Sequence, residues 1–199
     1  MILGFLFLFH FLEVLSGREG FFAKKGGVSL VRNRDLRPAA KGYFPMGAVS
    51  VVAGPGGVGK GVFMVDVVAA VTTGRPTMLF PDATVARGNV LVLTSEDDPG
   101  MSLAPRMIAA EADMRRVFYA TPGWYWQQKK KKLVIGPSLF ELIDELHPAL
   151  VIIDLLRSFL EGNAAANGDV MRRALDMLQE KALADQFSVV IVSHMVNDA

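Results

Sequence analysis

The segment Gly54-Pro55-Gly56-Gly57-Val58-Gly59-Lys60-Gly61 constrains this chain more than any other, because a G-x-x-x-x-G-K loop works only between a strand and a helix. Small residues let backbone N–H groups turn inward around a β-phosphate, the following helix offers its positive N-terminus, and Lys60 can bridge the β- and γ-phosphates. The eighth position departs from the pattern. Where such a loop usually carries a Ser or Thr hydroxyl for Mg²⁺, Gly61 has no side chain. Phosphate cradling needs the glycines, the backbone and the lysine, all present. Mg²⁺ keeps several waters, and one of these can fill the vacant coordination position, though the ion would then be held less firmly.

Around the loop, apolar runs alternate with helical patterns. The sequence predicts strands over 48–53, 89–93, 150–153 and 188–192. It predicts helices over 60–73, closed by Gly74, from near Met101, from Ser138 and from Asp169. The 60–73 helix is apolar nearly all round, as expected for one pressed against a sheet. Ser138 and Glu141 read as a capping box, with Leu139, Leu142, Ile143 and Leu146 on one face. Met171, Ala174, Leu175, Leu178 and Ala182 form the inner face of the last helix. These alternating units imply an α/β fold with a mainly parallel central sheet flanked by helices.

With 199 residues, 51% hydrophobic, there is material for one α/β domain, expected over 46–199 behind an irregular lead-in at 1–45. A net charge of +1 gives no global argument for a nucleic-acid partner. The lack of cysteine excludes disulfides and thiolate metal sites and suits a cytoplasmic protein. Met1 to Leu15 is strongly apolar but lacks a basic flank and a small-residue cleavage site, and it is shorter than the roughly 20 residues that span a bilayer. It reads as a buried or partner-seeking helix, or as sequence upstream of the true start, with a peripheral membrane anchor as the alternative.

Trp124 to Lys132 (WYWQQKKKK) stands out between ordered segments. It reads as a solvated loop or insertion. The competing reading is that the aromatics stack bases of single-stranded nucleic acid while the lysines neutralise phosphates.

Three strand ends carry the candidate chemistry. Asp154 closes an all-apolar strand at the edge where the ligand crevice of such a sheet lies, and it can hold Mg²⁺ through a coordinated water; its structural alternative is a cap. Glu96 follows the second strand and can accept a hydrogen bond from the attacking water. Asp97 and Asp98 suit capping of the next helix at least as well. His194 ends the last strand, placed either to sense a γ-phosphate or simply as a structural residue.

Taken together, GAVSVVAGPGGVGKG, GNVLVLTSEDDP, ALVIIDLLRSFLEGN and VVIVSHMVND resemble the RecA-like P-loop ATPases, in the branch of the plasmid hexameric helicase RepA and related phage and plasmid AAA-type ATPases. The resemblance covers about Gly47 to Asp198. It implies an ATP-dependent machine working on DNA, a ring of identical subunits with Mg²⁺ and ATP at their interfaces, and no stable membrane partner. It makes Gly54 to Gly61 the phosphate loop, Lys60 a catalytic cation, Glu96 the water-polarising base, Asp154 the metal-organising acid and His194 the γ-phosphate sensor. DNA-facing loops would follow the Asp and His strands, at Leu155 to Gly168, where Arg157 is the basic residue, and at Met195 to Ala199. Gly61, the lysine-rich stretch and the missing final strands depart from the family. They keep open a truncated or decayed module that binds ATP without turnover. A P-loop kinase fits less well, for want of an Arg-rich lid.

Overall fold

The computed structural model describes residues 38–40, 44–76, 81, 85–95, 97–161 and 168–194. The apolar segment 1–15, Glu96 and the stub 195–199 lie outside them. A short antiparallel ladder, β1 (Pro38–Ala40) and β2 (Phe44–Pro45), leads in. The domain then runs β3 (Ala48–Gly54), α1 (Lys60–Thr73), β4 (Asn89–Thr94), α2 (Ala104–Ala109), β5 (Val117–Ala120), α3 (Pro122–Lys129), α4 (Pro137–Leu146), β6 (Pro148–Asp154), α5 (Gly168–Asp185) and β7 (Ser188–His194).

Five strands pair in the order β3-β7-β6-β4-β5, all parallel. Strand residues alternate between two apolar layers, as the two-residue period of a strand demands. Val90, Val92, Leu150, Ile152 and Val190 face the layer built on Phe63, Val67 and Val71 of α1. Leu91, Leu93, Val151, Ile153 and Val189 face the layer built from α3, α4 and α5. The apolar circumference of α1 follows from this sandwich: Val67, Val68, Ala70 and Val71 are all but inaccessible. Gly59 (φ 100°) and Gly74 (φ 71°) close the helix in the left-handed region, and the Gly74 N–H donates to Ala70 O at 2.8 Å. Phe44 of the lead-in packs edge-on against Phe63, with ring centroids 6.1 Å apart.

The structure departs from the sequence reading in four places. Ser138 caps nothing: Gly136 is the N-cap of α4, and the Ser138 hydroxyl, inside the first turn, accepts from Val134 N at 3.0 Å and donates to Val134 O at 3.1 Å. The WYWQQKKKK stretch is not a loop from its start. Its aromatic half is α3, capped by the Thr121 hydroxyl accepting from Trp124 N, because burial of Tyr125 supplies the packing that holds a short helix in place. The edge strand β5 carries only four residues and no strong alternation, too little signal to read. The helical segment near Met101 opens as a π-type turn over Pro99–Leu103, with the Asp98 carboxylate accepting from Met101 N at 2.7 Å, the capping role anticipated for Asp98. Among the described residues no helix is long and apolar enough to cross a membrane.

Candidate functional site

Parallel strands all end at one edge of the sheet, and this edge collects the candidate residues. The pairing order places β7 between the loop strand β3 and the Asp strand β6, with β4 beyond. Gly54 stands abreast of His194, and Asp154 abreast of Thr94. Ser95 N donates to Asp154 O at 2.9 Å, which extends the ladder past the strand ends.

The phosphate loop leaves β3 at buried Gly54 and turns through Gly57 (φ 74°) and Gly59 (φ 100°). Both are left-handed, where a Cβ costs roughly 1–2 kcal/mol, so glycine is required by conformation rather than by space. Pro55, Gly56 and Gly57 are exposed. Lys60 is 6% exposed, and its ammonium folds back to donate to Gly54 O at 2.7 Å and Pro55 O at 2.8 Å. It is thus held inside the loop at the mouth where a phosphate would enter.

Behind the loop, a cavity of about 40 Å³ brings Gly61, Thr94, Asp97 and Asp154 together over a floor of apolar side chains from α1, β4, β6 and β7. Its volume is that of one water or one small cation. Two aspartates and a threonine are among its lining residues, and their oxygens are of the kind a hard cation such as Mg²⁺ takes. The Thr94 hydroxyl is engaged with the Asp97 backbone, 3.2 Å from its N and 3.4 Å from its O. The Asp97 carboxylate accepts from the Ser102 hydroxyl at 3.0 Å, so Asp97 steadies the turn while also lining the cavity.

Lys60, Asp154, the glycines and the backbone of His194 therefore meet at one edge. Glu96 lies outside the described residues; of its neighbours in the chain, Asp97 lines the cavity. Two residues had escaped notice. Thr94 could have been read from its place before Ser95-Glu96. Arg106 carries no local signal: the packing of α2 against α1 sets its guanidinium 3.9 Å from where a Cβ on Gly61 would stand. A larger cleft of about 740 Å³ opens between α1 and α2, lined by Val62, Asp66, Arg75 and Arg106 among others, but no residue of the Gly54–Gly61 loop lines it.

A glycine loop ending in a buried lysine, followed by a helix and facing a strand-terminal aspartate across a parallel sheet, defines a P-loop nucleotide-binding protein of the α/β class. The family model described as "AAA domain" matches residues 25–199, and the chain belongs to that family. Membership makes it an ATP-binding protein of the P-loop ATPases. No curated relative matches it.

Proposed function

We propose that this protein is a Mg²⁺-dependent ATPase of the RecA-like, RepA-type branch that acts on DNA in plasmid or phage replication, as a helicase or an accessory motor working as a ring. The observation that carries the reading is the shared cavity of Gly61, Thr94, Asp97 and Asp154 directly behind the Lys60 loop. A P-loop alone would account for binding, whereas a carboxylate and hydroxyl lining beside it supports placement of a cation and water.

In this reading the N–H groups of the loop from Gly54 to Gly61 bind the β-phosphate. Lys60 exchanges its two carbonyl partners for phosphate oxygens, a substitution of neutral acceptors by charged ones that favours the bound state. Glu96 takes the proton of the attacking water as the water oxygen bonds to the γ-phosphorus and the bond from that phosphorus to the bridging β,γ-oxygen breaks, releasing ADP. Asp154, with Thr94, would hold the cation, and His194 would sense the γ-phosphate. Bound Mg²⁺ would offset the negative charge of the β- and γ-oxygens.

The test is ATP hydrolysis by the purified chain with Mg²⁺, with and without single-stranded DNA, beside equilibrium ATP binding. Lys60→Ala should abolish both binding and turnover, and Glu96→Gln should abolish turnover while sparing binding. Turnover that survives Lys60→Ala would refute the assignment. Gly61 favours a second reading, ATP binding without turnover, and Lys60-dependent binding by an inactive parent chain would select it.

A further inference from the structure

We infer that α3 and the lysines that follow it form a binding platform for single-stranded polynucleotide. Tyr125 is fully buried, and its hydroxyl donates to Ser138 O at 3.2 Å, pinning the helix to the domain by one side chain. Its neighbours are half-exposed: Trp124 is 44% and Trp126 56% exposed. At 100° per residue they occupy the two shoulders of the helix on either side of the buried tyrosine, with exposed Gly123 on the crest between them. A chain crossing that crest meets an indole on each side.

The helix ends where Lys130 turns left-handed (φ 54°), and Lys129, Lys130, Lys131 and Lys132 are all exposed. Lys129 and Lys130 stand one turn on from Trp126, so aromatic face and positive charge share a side. Two carboxylates oppose these four lysines: Glu141, which accepts from Lys131 at 3.5 Å, and Glu145, whose charge, like that of Glu141, acts on Tyr125. Lys132 donates to Leu160 O at 3.3 Å, joining the lysine run to the segment after β6. A partner must therefore be a polyanion with flat, stackable faces accessible one at a time. Single-stranded nucleic acid meets both demands, a duplex meets only the charge, and an acidic peptide lacks the stacking faces. This surface deepens the DNA-acting reading proposed above by naming where the strand lies, and it is separate from the nucleotide site.

The chain supplies its own probe, because Trp124 and Trp126 are its only tryptophans. Tryptophan emission of the full chain, titrated with oligo(dT) in the absence of ATP, should be quenched to saturation. With about three phosphates neutralised, the logarithm of affinity should fall with the logarithm of salt at a slope near −2. Trp126→Ala should weaken binding, measured by anisotropy of a labelled oligo(dT), about tenfold, the value of one lost base stack. The triple variant Lys129→Glu, Lys130→Glu, Lys131→Glu should abolish binding without altering the circular dichroism. No quenching, unchanged affinity in the triple variant, or equal affinity for duplex DNA or polyglutamate would overturn the inference. Lys60→Ala should bind the oligonucleotide like the parent, so failure here and failure of the nucleotide reading are seen in different assays.

Discussion

Gly61→Ser places a hydroxyl where this loop lacks one, and the structure sets the size of the effect. Gly61 lies in the first turn of α1, and a Cβ there finds only the tip of Arg106, at 3.9 Å. The side chain is therefore accommodated without strain. Serine is about 0.5 kcal/mol better than glycine in a helix, worth roughly 1–2 °C in melting temperature for a chain of this size. Gly61 lines the cavity together with Thr94, Asp97 and Asp154, so a hydroxyl at this position is expected to reach it. Replacing a water ligand by a tethered hydroxyl gains about 1 kcal/mol, which is roughly a fivefold lower Mg²⁺ concentration for half-maximal ATP binding or turnover. Gly61→Ala separates the two effects: it should stabilise by about 1 kcal/mol and leave the Mg²⁺ dependence unchanged. Differential scanning fluorimetry and an Mg²⁺ titration of nucleotide binding read both quantities. A melting temperature lowered by several degrees in both variants, or an identical Mg²⁺ response in the serine variant, would show that Gly61 does not face the cation.

Two further perturbations probe the opposite edge of the sheet, where β4, β6 and β5 begin. A Cβ on Gly88 would stand 2.4 Å from the Ala149 Cβ, where β4 and β6 enter the sheet, so Gly88→Ala should cost about 1–3 kcal/mol. Adding Ala149→Gly should recover most of it in a thermal-melt double-mutant cycle, and simple additivity of the two changes would contradict the packing. Asp113 accepts from Arg115 at 3.0 Å and Arg87 at 3.1 Å, and these guanidinium hydrogen bonds, Arg115 foremost, hold its pKa down to about 2 from 3.8. A depressed carboxylate stabilises above its unfolded pKa and loses that contribution as pH falls through the folded value. Asp113→Asn should therefore melt below the parent at neutral pH, the difference closing between pH 4 and 2; a gap that persists at pH 2 would mean that charge is not the cause.

Local patterns carried the nucleotide half of this protein. The order strand, glycine loop, helix is legible because left-handed φ values demand glycine at Gly57 and Gly59, and because strands buried on both faces must be apolar throughout, as Leu150 to Ile153 are. The end of α1 was legible for the same reason, since Gly74 is left-handed. Asp98 as a cap could be read from its place before a helix. Ser138 misled because a serine three residues before a glutamate is equally at home inside a first turn when a backbone group, here Val134, lies in reach.

Contacts between residues far apart in the chain were decided only by tertiary structure. Strand order is one: nothing local to Ser188–His194 says that it inserts between β3 and β6, yet that insertion brings the ends of the loop, His and Asp strands to one edge. Arg106 reaches Gly61 only because α2 lies on α1. The aromatic stretch becomes a helix because Tyr125 is buried in the apolar layer that also holds residues of β4, α4 and β6, a burial energy that the sequence of α3 alone does not contain. Sequence determines what backbone conformation each residue permits and which faces must leave water; which distant face covers them is settled by the packing of the whole chain, because hydrophobic burial is non-directional and only the assembled layers choose the partner.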